Sequence, residues 1–264
     1  MTDPSPDRRF PPVLAGRKAL IVGVANAQSI AWGCAQAMHR AGAEIAMTYL
    51  NEKAKPHVAP LAEAVAAPIF LPLEVRDTAQ VDAVVDAVAT RWGRLDILVH
   101  SIAFAPREAL AGRVVDCPRE GFLTAMEVSC WSFLDLARRV EPLMAQGGTM
   151  ITMSYLGATE VVENYGVMGP VKAALECAVR YMATELGPKG IRVHAVSPGP
   201  LATRAASGIP DFDALMERVA SRAPTRRLVT IEEVGAACVF LATDYAGAMT
   251  GNTLYIDGGY SILG

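Results

Sequence analysis

The chain has 264 residues, 52% of them hydrophobic and 19% charged, with 24 basic and 27 acidic side chains for a net charge of −3. That is ample for one large core, and a single wide α/β sheet reaches this size. The lack of a basic cluster argues against nucleic acid or an anionic membrane as the main partner, and no apolar run approaches the ~18 residues of a bilayer span.

Residues 1–16 carry Asp3, Asp7, Arg8, Arg9 and four prolines, without the apolar centre of a signal peptide. They are expected to form a loose tail, leaving one domain over 17–264. Lys18-Ala-Leu-Ile-Val-Gly23 is a short apolar run ending at glycine and reads as a buried strand. A helix opens near Ser29 and runs to about Ala41, and 42–49 returns as a second strand. This is a strand–turn–helix–strand unit with glycine at its first turn. It is not G-x-G-x-x-G: Gly23 and Gly33 are its glycines, with Ser29 at the helix start. Ser29 suits an N-cap and could turn its hydroxyl and N–H toward a pyrophosphate, though on this unit alone a plain cap explains it equally well.

The alternation continues. Residues 67–72 form a weak strand, and Asp77 begins a helix with Val81, Val84, Val85 and Val88 at helical spacing. Residues 95–100 are a strong strand followed by Ser101, Ile102 and Ala103, and 104–117 reads as a loop. A long helix is expected from Pro118 to about Met144, with the proline in its first turn. A strand over 148–153, a helix over 171–186 and a strand over 190–196 come next. Ser197-Pro-Gly-Pro200 leads the chain out as far as Pro210. Thr230 and Glu233 make a capping box for another helix, and 253–259 closes the fold. The prediction is a single doubly wound Rossmann-type α/β domain: a mostly parallel seven-stranded sheet with helices on both faces. Its ligand should lie at the carboxyl ends of the strands. Gly23, Ser101-Ile102, Tyr155 and Pro200-Leu201 each follow a strand. Their convergence on one edge predicts a dinucleotide site with chemistry beside it.

Tyr155 and Tyr165 lie ten residues apart, and Lys172 follows the second by seven. On a helix seven residues turn about 700° and rise roughly 10 Å, so Tyr165 and Lys172 would share a face with room for a ribose between them. A phenol and an ammonium are a hydrogen-bond donor and a cation for negative charge developing nearby. An arbitrary pair of this kind is more often a helix aromatic and a solvated charge; its place at the strand edge favours function. Pro170 lies between them and would break a helix interior. The regular helix is therefore expected to begin near Val167, with Tyr165 on its lead-in, or to have a kinked first turn. The five cysteines (Cys34, Cys117, Cys130, Cys177, Cys238) are odd in number and widely spaced, which suggests reduced thiols in a cytoplasm. Neither they nor the four histidines show metal-ligand spacing, so no metal site is expected.

From Gly16 on, the chain resembles the short-chain dehydrogenase/reductases, and within them the enoyl-acyl-carrier-protein reductases of the bacterial FabI type. The segments that carry this are Gly23-Val-Ala-Asn-Ala-Gln-Ser-Ile-Ala, His100-Ser-Ile-Ala-Phe-Ala-Pro106, Ser154-Tyr-Leu-Gly-Ala158, Tyr165-x6-Lys172, Gly199-Pro-Leu-Ala-Thr203 and Asp257-Gly-Gly259. Carbonyl-reducing members place the lysine four residues after the tyrosine, where Gly169 stands here. The resemblance implies reduction of the carbon–carbon double bond of trans-2-enoyl thioesters on acyl carrier protein, with NADH, during fatty-acid elongation. It also implies a cytoplasmic homotetramer sensitive to diphenyl-ether inhibitors. By resemblance, Tyr165 would hydrogen-bond the thioester carbonyl, Lys172 the nicotinamide ribose, and Tyr155 would line the same pocket. Gly23, Ser29 and Ile30 would meet the pyrophosphate, Glu74 and Val75 the adenine, Ser101 and Ile102 the cofactor backbone, and Leu201 the nicotinamide. Ala103, Leu110, Met168, Ala205, Ala206, Ile209 and Phe212 would join the tyrosines around the acyl chain, with 202–215 as a mobile lid.

Besides Pro170, two positions depart from the pattern. Leu50 stands where some relatives carry a polar residue, and Glu74 where an aspartate is common. No arginine follows the second strand to take a 2′-phosphate, which favours NADH, while Lys53 and Lys55 leave NADPH as an alternative. Phe133, Leu134, Leu136 and Val140 spread apolar surface around the long helix, which calls for burial against other subunits. A ketone or hydroxysteroid-type reductase would want lysine at +4. A silent dinucleotide-binding regulator would not need the tyrosine–lysine pair beside its cofactor.

Overall fold

Residues Lys18–Val22 form the first strand, β1, and divide their side chains between two cores. Leu20 and Val22 join one apolar cluster, Ala19 and Ile21 the other. A strand buried on both faces needs an unbroken apolar run, which this sequence supplies. The structure, a computed structural model, describes residues 12–110, 112–203 and 211–263. After β1 come α1 (Ile30–Arg40), β2 (Glu44–Tyr49), α2 (Lys55–Ala64), β3 (Ile69–Pro72), α3 (Thr78–Trp92) and β4 (Ile97–His100). There follow α4 (Arg107–Leu110), α5 (Arg119–Met126), a π turn over Glu127–Trp131 and α6 (Ser132–Val140). The chain continues with β5 (Gly148–Met153), α7 (Met168–Leu186), β6 (Ile191–Pro198), α8 (Phe212–Arg222), α9 (Ile231–Ala242) and β7 (Thr253–Ile256).

The strands form one seven-stranded sheet in the order β3-β2-β1-β4-β5-β6-β7. Every pairing in it is parallel, so the expected mostly parallel sheet is wholly so among the described residues. Ile21 lies opposite Met47 on one side and Val99 on the other. The strand order reverses between β1 and β4, opening a crevice at their carboxyl ends. Val84 of α3, Phe133 of α6 and Leu175 of α7 cover one face of the sheet. Cys34 of α1, Val58 of α2 and Cys238 of α9 cover the other. Helices α1 and α9 cross at backbone contact: a Cβ on Gly33 would lie 2.2 Å from the Ile231 carbonyl oxygen, and one on Gly235 2.3 Å from that of Gly33. Gly33 thus serves helix packing.

Several boundaries differ from expectation. Leu14 is fully buried and its N–H donates to the Ala41 carbonyl at 2.9 Å, so the packed chain begins before Arg17. Helix α2 carries Pro60 inside it, which hides its short apolar face of Val58 and Ala62 from a periodicity reading. The expected loop over 104–117 holds α4 and a 3-10 turn over Val114–Asp116. The long helix after Pro118 is broken into α5 and α6 by the π turn. Helix α7, by contrast, starts at Met168, next to the expected start near Val167, with Tyr165 on its lead-in and Pro170 as its third residue. N–H groups of the first turn have no partner within the helix, so proline disturbs nothing there. The Thr230–Glu233 capping box forms in both directions, as its sequence predicts.

Candidate active site

The loops after four strands meet over the β1–β4 crevice and enclose a cavity of about 200 Å³. Gly23, Ser29 and Ile30 contribute from the turn after β1, Ser101, Ile102 and Ala103 from that after β4, and Tyr155 from that after β5. Leu201 comes from beyond β6, and Tyr165, Met168 and Lys172 from the start of α7. Leu110 and Phe212 complete the apolar part of the wall.

Gly23 has φ +102°, and a Cβ there would lie 2.1 Å from the Ser101 carbonyl oxygen. The glycine is therefore demanded first by the contact between the β1 and β4 turns, which draws both toward the cavity. Ser29 precedes α1 but does not cap it. Its Oγ instead accepts from the N–H groups of Ala25 and Asn26, both at 3.0 Å, and so shapes the turn. The first turn of α1 is left without a side-chain cap and without an acidic residue. Open N–H groups at a helix start favour a bound anion. A tight glycine turn running into an uncapped helix fits a dinucleotide pyrophosphate.

Tyr165 is on the lead-in to α7, between Asn164 (φ 62°) and Gly166 (φ 53°). A Cβ on Gly166 would meet the Leu110 carbonyl oxygen at 2.8 Å, and one on Gly157 would meet the Tyr165 ring at 2.4 Å. These two glycines make room for the backbone turn and for the ring. The Tyr165 and Tyr155 rings lie 4.8 Å apart, tilted by 59°. Burial pushes both phenols up, Tyr155 to about 12 and Tyr165 further, with each other's proximity adding to the shift of Tyr165. Both hydroxyls are therefore protonated donors at neutral pH. Lys172 is 3% exposed, and its Nζ donates to the Met153 carbonyl at 2.6 Å. Burial pulls its ammonium down to about 8, opposed by Cys130 and Glu176. Beneath the site, the Ser132 hydroxyl donates to the Val128 carbonyl, so His100 Nε2 carries the hydrogen it gives to Ser132, and Nδ1 accepts from Thr152. His100 is thus a neutral, structural histidine, with burial holding it at about 3.

The family model described as enoyl-(acyl carrier protein) reductase matches residues 23–261. The chain belongs to this family. It is 46% identical over 250 residues to enoyl-acyl-carrier-protein reductase (NADH) 2 of Rhizobium meliloti, covering 95% of this chain and 93% of that one. The crystal structure of the Anaplasma phagocytophilum reductase in complex with NAD superposes with a TM-score of 0.93 at 44% identity, covering 97% of this chain and 98% of that one. The Bacillus cereus enoyl-acyl-carrier-protein reductase, solved with NADP+ and an indole naphthyridinone, gives 0.93 at 41% identity, over 96% and 99% of the two chains.

Thirteen of the site residues expected from sequence line the cavity: Gly23, Ser29, Ile30, Ser101, Ile102, Ala103, Leu110, Tyr155, Tyr165, Met168, Lys172, Leu201 and Phe212. Glu74 and Val75 do not. They follow β3, where Glu74 pairs with Arg76 at 3.3 Å and Val75 packs against the core. Ala205, Ala206 and Ile209 lie outside the described residues. Among residues not singled out, Ala25, Phe104, Ala105 and Thr203 also line the cavity. Their places just beyond strand ends were a usable signal. The Met153 carbonyl that holds Lys172 left none, since a backbone acceptor has no side-chain signature.

Proposed function

We propose that this protein reduces the carbon–carbon double bond of trans-2-enoyl thioesters carried on acyl carrier protein, in fatty-acid elongation. The observation that carries the reading is the buried Lys172 ammonium on the wall that also holds two protonated tyrosines, beside an uncapped helix start. When bound, NADH supplies the hydride for the β-carbon of the substrate. Gly23, Ser29 and Ile30 would hold the pyrophosphate, Ser101 and Ile102 the cofactor backbone, Leu201 the nicotinamide, and Lys172 the ribose hydroxyls. The Tyr165 hydroxyl donates to the thioester carbonyl oxygen as negative charge gathers there, which stabilises the enolate. Tyr155 packs on Tyr165 and narrows the same wall. Solvent supplies the proton that completes the α-carbon. Ala103, Leu110, Met168 and Phe212 give the acyl chain an apolar surface, which would also receive an inhibitor of the diphenyl-ether type.

For the cofactor, the end of β2 favours NADH. Tyr49 hydroxyl donates to Glu52 at 3.2 Å, and Lys55 sits 3.6 Å from Glu52 and 5.4 Å above the Tyr49 ring. The charge of Lys55 is engaged by these partners and is less available to a 2′-phosphate. A homotetramer and a cytoplasmic setting belong to the same reading, supported by exposed aromatic side chains and free thiols. No helix among the described residues is long and apolar enough to cross a membrane. The test is the loss of reduced-nicotinamide absorbance with a crotonyl thioester against a panel of ketones, run with NADH and with NADPH. Turnover of the thioester alone, with the larger kcat/KM for NADH, is expected. Ketone turnover without thioester turnover would overturn the reaction, and a larger kcat/KM with NADPH the cofactor preference.

A further inference from the structure

One turn beyond Lys172 on α7 stands Glu176, a carboxylate 6% exposed. Residues four apart on a helix face each other, so the two side chains share one side of α7. The Glu176 carboxylate accepts the Ser154 hydroxyl at 2.5 Å. Ser154 follows Met153, whose carbonyl holds the Lys172 ammonium, and it precedes Tyr155. The Ser154 N–H is meanwhile tied to the Val196 carbonyl at 2.7 Å. With its hydroxyl and its N–H both engaged, Ser154 has little freedom, and the flanking Met153 carbonyl and Tyr155 are held with it. A short bond between a hydroxyl and a carboxylate is among the stronger kinds.

The charges around Lys172 point the same way. From β4, His100 is a neutral ring, with burial and then Lys172 itself holding it down to about 3. From the π turn, the Cys130 thiol is pushed up chiefly by burial and is uncharged where Lys172 titrates. Cys177 on α7 acts on Cys130, and the Tyr155 and Tyr165 phenols stay protonated. Glu176 is left as the counter-charge to an ammonium that would otherwise sit in an apolar wall. A buried cation without one is costly.

We propose that Glu176 is a positioning residue for the tyrosine–lysine site: it fixes the Met153–Tyr155 strand end through Ser154 and keeps Lys172 protonated for the cofactor. The inference rests on the role given above to Lys172 as the group that binds the cofactor ribose. A neighbouring carboxylate favours the charged ammonium and raises its pKa, so removing it must move the loss of the Lys172 proton to lower pH.

The experiment is a fluorescence titration of NADH with the unliganded protein across pH, for the wild type, Glu176→Gln and Ser154→Ala. The glutamine still accepts the Ser154 hydroxyl but carries no charge. Wild-type affinity should weaken as pH rises through about 8. In Glu176→Gln that limb should move down by about one pH unit or more, with affinity little changed on the acid side. Ser154→Ala keeps the charge, so its limb should coincide with the wild type while affinity falls evenly across pH. Coinciding limbs for Glu176→Gln and wild type would overturn the proposal. So would a shifted limb in Ser154→Ala with none in Glu176→Gln. If Glu176→Gln does not fold, Glu176→Asp withdraws the carboxylate by one methylene; a smaller downward shift of the limb supports the proposal and an unmoved limb overturns it. A wild type that binds no NADH would instead refute the cofactor role of Lys172.

Discussion

At the residue scale, the tyrosine and the lysine have separable tasks. Losing one oxyanion donor typically lowers kcat by ~10²–10³, and with Tyr155 or water able to substitute in part, Tyr165→Phe is expected to lower kcat at least ~10-fold. NADH affinity should stay near the wild-type value. Lys172→Ala should weaken NADH binding strongly, and Lys172→Arg need not rescue it, because a flat fork is a poor match for a ribose diol. Steady-state rates beside NADH titrations check this; loss of affinity in Tyr165→Phe with affinity kept in Lys172→Ala would invert the roles. Gly157 offers a second test. A Cβ there would lie 2.4 Å from the Tyr165 ring. Gly157→Ala is expected to displace the ring and lower kcat ~10-fold or more, with NADH affinity retained, since the alanine meets no group assigned to the cofactor. Unchanged kcat in that variant would mean that the Tyr165 ring need not stand where it does.

At the scale of elements, α8 is the one whose function depends most on its surroundings. Leu215 and Val219 are its buried residues, Phe212 reaches the cavity wall, and Asp211 before it has φ 53°. Its first residues, 212–215, together with residues 202–203, are proposed as the described part of a lid over the acyl chain. Amide hydrogen exchange in 212–215 should slow when NADH and a substrate analogue are bound. Equal protection with and without them would make α8 an ordinary surface helix. The π turn between α5 and α6 illustrates a different limit. It carries Cys130, which feels the charge of Lys172, while Ser132 at the start of α6 supports His100.

For the whole molecule, two expectations concern assembly and acid. Phe133, Leu136 and Val140, whose apolar spread suggests burial between subunits, are buried within the single chain by the sheet instead; Trp131, Tyr181 and Tyr245 are exposed on it, and large exposed aromatics favour association. Light scattering at micromolar concentration should give the mass of a tetramer, and a monomer would count against the assembly. His100 and His194 are both held neutral by burial, at about 3 and about 4. Their folded values lie below the ordinary value of 6.5, so the unfolded chain binds protons that the folded one refuses. The stability they contribute is complete above about pH 6.5 and is lost progressively as pH falls toward their folded values. Melting temperature should drop across that window, and both imidazoles should remain neutral by nitrogen-15 NMR at about pH 5. Imidazolium signals from both at that pH would remove the cause assigned to the drop.

The order of the strands and helices and the strand-end places of the site residues follow from local pattern. Apolar runs of strand length separated by helical periods imply a parallel sheet, and ligand-binding residues then have to lie beyond strand ends. The +7 spacing of Tyr165 and Lys172, with Tyr155 ten residues earlier, marked the chemistry. How those groups are held depends on contacts between distant parts of the chain. Pro170 already implies that Tyr165 lies on the lead-in to the helix; its orientation there comes from Asn164 and Gly166, which turn the chain, and from Gly157, which leaves space for its ring. Lys172 is bound by the carbonyl of Met153, and Glu176 by the hydroxyl of Ser154, each across the gap between β5 and α7. Glu74 and Val75, adjacent to a strand end as the pattern asks, fall outside the cavity because β3 is the edge strand farthest from the β4–β6 side. Such contacts join residues far apart in the chain, or use backbone atoms common to every residue, so no spacing or composition encodes them.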